Sequence, residues 1–365
     1  MWPSERTARF LLALLILAAP VGLGLRMLLA ERLDGPRFPR PSATDFVLVT
    51  FGTWADPEEW PEGQAFRELA RRGQRVGPLW ATSDHAPAAA ASLWTGRYPL
   101  AHGLRAAGER LPAETWTLAA AARDAGTRTA AFLGATLVSD SGLAGFEQLV
   151  EDPALGAEAL GKMARRFLVE ATDRRVLLWL HLEDAGEGGA DAERLLGELV
   201  AGLVESGREP DTLLFVTALE NRLDTADEGR LLVPFASYLP AALNAGRTSA
   251  AVLGHIDLAG LGLALLRLPR PSLARGEGAL QSREQLLWSA MRGTSGPEWN
   301  WVEGSFGEVA RLPEQRLHLA PDGSFRAERL PQPRALGDYA SMGGGALENA
   351  RRTFAERRDQ AAGRQ

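Results

Sequence analysis

The 365-residue chain has no cysteine, a single lysine at Lys162, three tyrosines and five histidines. Without thiols there is no disulfide, no thiolate metal site and no cysteine nucleophile. The compartment stays open, because exported proteins can manage without disulfides. Positive charge is not in surplus either: 40 Lys and Arg stand against 46 Asp and Glu, a formal net charge of −6. That balance offers no basic surface for DNA or RNA, and no nucleic-acid partner is expected. Internal repeats are absent, and the glycines at 343–345 do not follow a strand, so they make no phosphate loop. The scarcity of lysine goes with an excess of Arg, Ala, Leu and Gly, a compositional bias that carries no functional weight.

What is present is 45% apolar and 24% charged sequence, enough for one large α/β domain or two modest ones. After a short segment at 1–9, residues 10–25 form an uninterrupted apolar run that 27–30 extend past Arg26. At about 1.5 Å per residue this makes roughly 30 Å of helix, the thickness of a bilayer core. Residues 10–30 therefore predict a transmembrane helix that tethers the chain. A cleaved signal peptide is the competing reading, although Leu28 and Ala30 make a poor small-x-small cleavage site. Arginines flank the run on both sides, so orientation is not decided by charge. Residues 31–44 contain GPRFPRPS and read as a stiff, Pro-rich linker.

Beyond the linker, apolar runs and amphipathic stretches alternate. DFVLVTF at 45–51 lacks period-two alternation, which suits a central parallel strand covered on both faces. Further strands are expected at 127–133, 176–182, 212–217 and 232–237, and helices at 59–72, 116–125, 160–171 and 191–206. This order argues for a doubly wound, mostly parallel α/β sheet with helices on both faces, spanning 45–270. Residues 271–335 read as a small C-terminal α+β subdomain. Residues 336–365 read as a Gly-rich hinge and a charged helical tail. Trp299 and Trp301 could form a partner surface, with local packing the commoner role for such residues.

The stretch 92–104, SLWTGRYPLAHGL, resembles the region just after the nucleophile in the sulfatase family of the alkaline-phosphatase-like superfamily. There a helix ends at Thr-Gly, and a Tyr-Pro turn leads to His-Gly. TWTLAAAARDAGTRTAAFLGA at 115–135 and Ile256-Asp257-Leu258 opening an apolar helix also resemble that family. The resemblance covers about 45–269. It implies an alkaline-phosphatase-like fold and hydrolysis of sulfate or phosphate esters with a divalent cation.

The same resemblance places the nucleophile nine positions before Thr95, at Ala86, with the next matched positions at Ala88, Ala89 and Ala90. The metal-binding Asp after the first strand corresponds to Gly52. The Asp-His-Gly after TLLFVT corresponds to Leu219-Glu220-Asn221. Methyl groups and hydrogens cannot attack, ligate or donate. The expectation is a degenerate member: a membrane-tethered pseudoenzyme serving as a binding or scaffolding module. It would lie at the bacterial inner membrane, single-pass, with its main domain periplasmic or extracytoplasmic and an envelope protein as a possible partner. No cofactor is expected on this reading. The alternative is a divergent hydrolase with relocated ligands among Asp56, Asp84, His85, Asp184 and Glu220, holding a divalent cation such as calcium. His102 and His181 match structural positions of the family, and His255 and His318 read as ordinary helix-start and strand residues.

Overall fold

The computed structural model describes residues 45–54, 74–75, 79–171, 174–184, 189–221, 232–233, 235–238, 253–268, 299–305, 307–312, 315–329, 340–341 and 344–363. The chain divides into two compact units, Met1–Pro41 and Ser42–Gln365, and all described residues belong to the second. The expected transmembrane helix at 10–30, the linker, the helix at 59–72 and Asp56 lie outside the described residues. Among the described residues, no helix is long and apolar enough to cross a membrane.

In chain order the elements begin with β1 (Asp45–Trp54), β2 (Gln74–Arg75) and β3 (Leu79–Trp80), then α1 (Ala86–Thr95), α2 (Pro99–His102) and α3 (Leu118–Asp124). Next come β4 (Arg128–Leu133), α4 (Leu137–Ser141), β5 (Gln148–Glu151), α5 (Ala157–Glu170), β6 (Val176–Asp184) and α6 (Ala190–Glu205). They are followed by β7 (Thr212–Asn221), β8 (Leu232–Val233), β9 (Phe235–Tyr238), β10 (Leu253–Gly254) and α7 (Ile256–Leu265). The C-terminal part holds β11 (Asn300–Gly304), β12 (Gly307–Arg311), β13 (Gln315–Leu319), β14 (Phe325–Arg329), β15 (Ala340–Ser341) and α8 (Gly344–Ala361).

The main sheet has the order β2-β9-β7-β1-β6-β4-β5. Its five strands from β7 to β5 run parallel; at one edge β9 pairs antiparallel with β7, and β2 pairs antiparallel with β9. Strand β1 lies at the centre, and every side chain from Phe46 to Phe51 is buried, as its unbroken apolar pattern required. Helices cover both faces. On one, Trp94 of α1 packs on Trp179 of β6 with ring centroids 5.3 Å apart. On the other, Phe132 of β4 meets Phe167 of α5 at 5.9 Å. Ala131 is the residue in register with Trp179, so Phe132 points away from α1.

Helix α1 is short and alanine-rich, with Ala88 to Ala91 fully buried. Small side chains let it lie close to the sheet, and it stops at Gly96, whose φ of 65° suits a glycine best. The run at 232–237 departs from its expected single strand. It is shared between two sheets, with Leu232–Val233 pairing β3 in a three-stranded sheet and Phe235–Tyr238 pairing β7. Apolar character alone could not reveal that division.

Strands β11 to β15 form a separate antiparallel sheet in sequential order. The charged helix expected at the C-terminus is α8, and it packs on this sheet through Ala350, Phe354 and Ala361. Phe354 meets Trp301 at 5.1 Å and Phe325 at 5.3 Å, while Trp299 stacks on Tyr98 at 5.8 Å. Both tryptophans therefore pack locally, and Trp301 is wholly buried.

Candidate functional site

In an open α/β sheet, ligands gather beyond the carboxyl ends of the strands. Here those ends are Gly52 to Trp54 of β1, Glu183 and Asp184 of β6, and Leu219 to Asn221 of β7. Parallel register sets Thr53 level with Asp184 on one side and with Glu220 on the other. One step earlier along the strands, Gly52 is level with Glu183. A Cβ built on Gly52 would lie 2.6 Å from the Glu183 carbonyl oxygen, 2.9 Å from its carboxyl carbon and 3.0 Å from Oε2. The carboxyl group of Glu183 thus fills the space that any side chain at position 52 would need.

That carboxylate ends a directed chain of hydrogen bonds. Trp179 Nε1–H donates to Thr50 Oγ1 at 2.8 Å, and the Thr50 hydroxyl lies 2.9 Å from His181 Nδ1. His181 Nε2 lies 3.2 Å from Glu183 Oε2. A carboxylate can only accept, so Nε2 carries the proton and Nδ1 accepts from Thr50. His181 is fully buried, and that burial lowers its pKa and keeps the ring neutral. Glu183 is displaced downward, chiefly by the hydrogen bond from His181, and remains ionised. A hydroxyl, an imidazole and a carboxylate in a row have the composition of a nucleophilic triad, but Thr50 is sealed in the sheet at 0% exposure. Only the carboxylate end reaches solvent, with the Glu183 side chain 64% exposed.

The loop before α1 is held from the other side. Ser83 Oγ accepts the His85 N–H at 3.1 Å, which shapes the turn into the helix. Asp84 accepts from the Ser305 N–H at 2.8 Å and from its hydroxyl at 2.5 Å. Gly304 leaves room for this contact, since a Cβ there would lie 2.4 Å from Asp84 Oδ1. Thr82 O accepts the Glu303 N–H at 3.1 Å, so the turn between β11 and β12 is fastened along the loop. His85 takes the N-cap position without a side-chain cap, and Ala86 opens the helix half-buried.

No protein-family model matches this sequence, and no curated protein matches it. Solved structures do. A protein of the alkaline phosphatase superfamily from Vibrio parahaemolyticus is 13% identical, with 87% of this chain and 85% of that one covered and a TM-score of 0.61. The phosphonate monoester hydrolase SpPMH from Silicibacter pomeroyi is 13% identical, with 87% and 95% covered and a TM-score of 0.67. A 2-O GAG sulfatase is 11% identical, with 87% and 92% covered and a TM-score of 0.65.

The fold is that of the alkaline-phosphatase superfamily.

Within this alkaline-phosphatase-like fold, the expected residues that are described do not gather into a group that could hold a metal ion. Asp84 is committed to the β11–β12 turn, and Asp184 follows Glu183 on the strand and so points to the opposite face of the sheet. Glu220 is placed by its backbone alongside Thr53, and its side chain lies outside the described residues, as does Asp56. Leu219 is wholly buried and apolar. Among the described residues, no group of three or more His, Asp or Glu side chains could hold a metal ion. Among the described residues, the carboxylate set beside Gly52 is that of Glu183, one oxygen of which already accepts from His181. The described donor set does not fit a divalent cation of the kind this fold suggests.

The remaining histidines are structural. His102 accepts the Leu104 N–H at Nδ1 (3.2 Å) and faces Ser92 Oγ through Nε2 (3.1 Å), tying the His-Gly turn to α1. Burial pushes its pKa down to about 3. His255 Nε2 donates to the Ala218 carbonyl at 3.0 Å, and burial pushes its pKa down to about 4. His318 lies buried within β13.

Thr50, Trp179 and Glu183 were missed by sequence reasoning. The signal for Glu183 was available in part: it stands two residues after His181, the spacing that puts two strand side chains on one face.

Proposed function

We propose that the chain is a non-catalytic binding or scaffolding module built on an alkaline-phosphatase-like fold. The observation that carries this reading is the seating of Glu183 over Gly52. The position matched to a metal-binding carboxylate has no side chain, and its volume is taken by a group engaged with His181. Ala86 and Leu219 add nothing that could attack or ligate. An ester dianion approaching this point would meet a fixed negative charge, the reverse of what stabilises a transferring sulfuryl or phosphoryl group. Residues 10–30 would tether the module to the bacterial inner membrane with its main domain outside the cytoplasm, where an envelope protein is the partner proposed.

The competing hydrolase with relocated ligands has less support, because Asp84 already satisfies Ser305 and, among the described residues, no group of three or more His, Asp or Glu side chains could hold a metal ion. The test is to purify the full chain in detergent, measure bound metal, and assay aryl sulfate and phosphate esters with added calcium. The expected result is no stoichiometric metal and no turnover above background. Metal at one equivalent, with turnover abolished in Asp84→Ala or His85→Ala, would overturn the proposal.

A further inference from the structure

One charge cluster joins the β11–β12 hairpin to two other parts of the chain. Arg105, in the loop after α2, reaches Glu303 of β11 at 2.6 Å and Glu308 of β12 at 3.0 Å, and Arg358 of α8 holds Glu308 at 2.7 Å. Glu303 is the enclosed member of the four, only 4% exposed. Its contact with Arg105 is made by Oε2, while the buried Oε1 completes no hydrogen bond among the described residues. A carboxylate shut away from water with one oxygen idle is costly as an anion. Burial accordingly raises the Glu303 pKa and the like charge of Glu308 adds to the rise, while Arg105 and the Leu100 N–H offset only part of it. The tip of the same hairpin meets the loop that opens α1, where the Glu303 N–H donates to Thr82 O at 3.1 Å and the Ser305 N–H to Asp84 at 2.8 Å. The described charged groups around Glu303 are therefore Arg105, Glu308 and Arg358, with Asp84 at the tip and Glu109 behind Arg105, whose N–H it accepts at 2.6 Å.

We propose that Glu303 makes this hairpin a proton-coupled clasp, its carboxyl group taking up a proton from water as the hairpin closes on residues 82–84 and releasing it as the hairpin opens. In the open hairpin Glu303 is solvated and titrates near its ordinary value of 4.5; in the closed one it titrates higher. The closed form thus binds more protons. It is favoured as pH falls toward 4.5 and loses that advantage as pH rises through the closed-state value. Acid tightens the clasp and alkali loosens it, opposite in sign to the buried histidines His102 and His255, whose pKa values are lowered. The segment it covers stands directly before Ala86, so ambient pH would set how often that segment is open to a partner.

The test is amide hydrogen exchange of the detergent-purified full chain between about pH 5 and pH 8, spanning the range above the ordinary carboxylate value and corrected for the intrinsic pH dependence of exchange. Protection of β11, β12 and α8, relative to β1 and β6, should fall as pH rises, by up to about tenfold per pH unit, the limit for one proton. Glu303→Gln has no charge to desolvate, so its hairpin protection should be independent of pH and, at the alkaline end, no lower than that of wild type. Glu308→Gln removes the neighbouring like charge and should move the fall to lower pH, which decides the matter if Glu303→Gln does not fold. Relative protection that is flat or rises with pH, an equal fall in Glu303→Gln, or an unmoved fall in Glu308→Gln overturns the inference.

Discussion

The carboxyl group of Glu183 and the missing side chain of Gly52 compete for one volume. The glycine's would-be Cβ lies 2.6 Å from the Glu183 carbonyl oxygen and 2.9 Å from its carboxyl carbon. Two strands paired in parallel register, 131 residues apart at Thr50 and His181, meet here with room for one side chain only. Position 52 is therefore held as glycine by packing. Restoring a carboxylate at position 52 would require the neighbouring strand to move.

Gly52→Ala should accordingly destabilise the fold by about 1 to 3 kcal/mol, the usual cost of forcing extra atoms into a packed position. Adding Glu183→Ala should recover only part of this loss, because the backbone carbonyl remains in the way. Urea denaturation of the single and double variants measures the coupling. Full recovery in the double variant would show that the side chain alone sets the constraint.

Asp84 and Gly304 make a second such pair, 220 positions apart. Gly304→Ala should be poorly tolerated, since its new methyl would meet the Asp84 carboxyl at 2.4 to 2.7 Å. The three nearest atoms to that Cβ all belong to Asp84, so Asp84→Gly should rescue it, at the loss of the two Ser305 hydrogen bonds, worth about 1 to 3 kcal/mol together. Thermal melts of the two singles and the double check this, and a double variant as unstable as the sum of both singles refutes it.

The central strands β1, β4, β6 and β7 were legible in the sequence because they rest on local apolar pattern, whereas the helix ending at Thr95-Gly96 was expected only from the family resemblance. The role of Glu183 was not legible. It depends on which residue of β6 stands level with Gly52, a matter of register between strands far apart in the chain. Asp184, one position on, was the more conspicuous acid by motif, but strand alternation turns it to the other face. Asp84 likewise looked like a free ligand until the β11–β12 turn was seen to claim it. Local composition likewise could not show that 232–237 would be shared between two sheets.

Acid should weaken the protein through its buried histidines. Burial lowers the pKa of His102 to about 3 and of His255 to about 4, against an unfolded value near 6.5. The unfolded chain binds protons first, so these groups contribute stability above pH about 6.5 that is lost as pH falls toward their folded values. For His255 the loss between pH 7 and pH 4.5 should be about 2 to 3 kcal/mol. Asp45 and Glu303, both raised by burial, push the opposite way nearer the carboxylate range, so the histidine slope is best read above pH about 5. Urea midpoints against pH should fall for wild type and flatten in His255→Asn. An unchanged slope in that variant would remove His255 from the account.

Arg105 fastens the β11–β12 hairpin to the loop after α2. Its Nε donates to Glu303 at 2.6 Å and its Nη2 to Glu308 at 3.0 Å, while Arg358 of α8 clasps Glu308 from the other side at 2.7 and 3.1 Å. Glu303 is only 4% exposed, and desolvation already outweighs both arginine contacts in setting its pKa above the ordinary value. Removing Arg105 leaves a buried carboxylate without the cation that donates to it, a change that costs about 3 kcal/mol at neutral pH in comparable buried pairs. Because Glu303 would then protonate more readily still, the deficit of Arg105→Ala should shrink as pH falls through its raised folded pKa. Glu303→Gln, which carries no charge to desolvate, should suppress most of the Arg105→Ala penalty at pH 7. Equal penalties for Arg105→Ala with Glu or Gln at 303 would mean that the arginine acts through packing of its stem and not through charge.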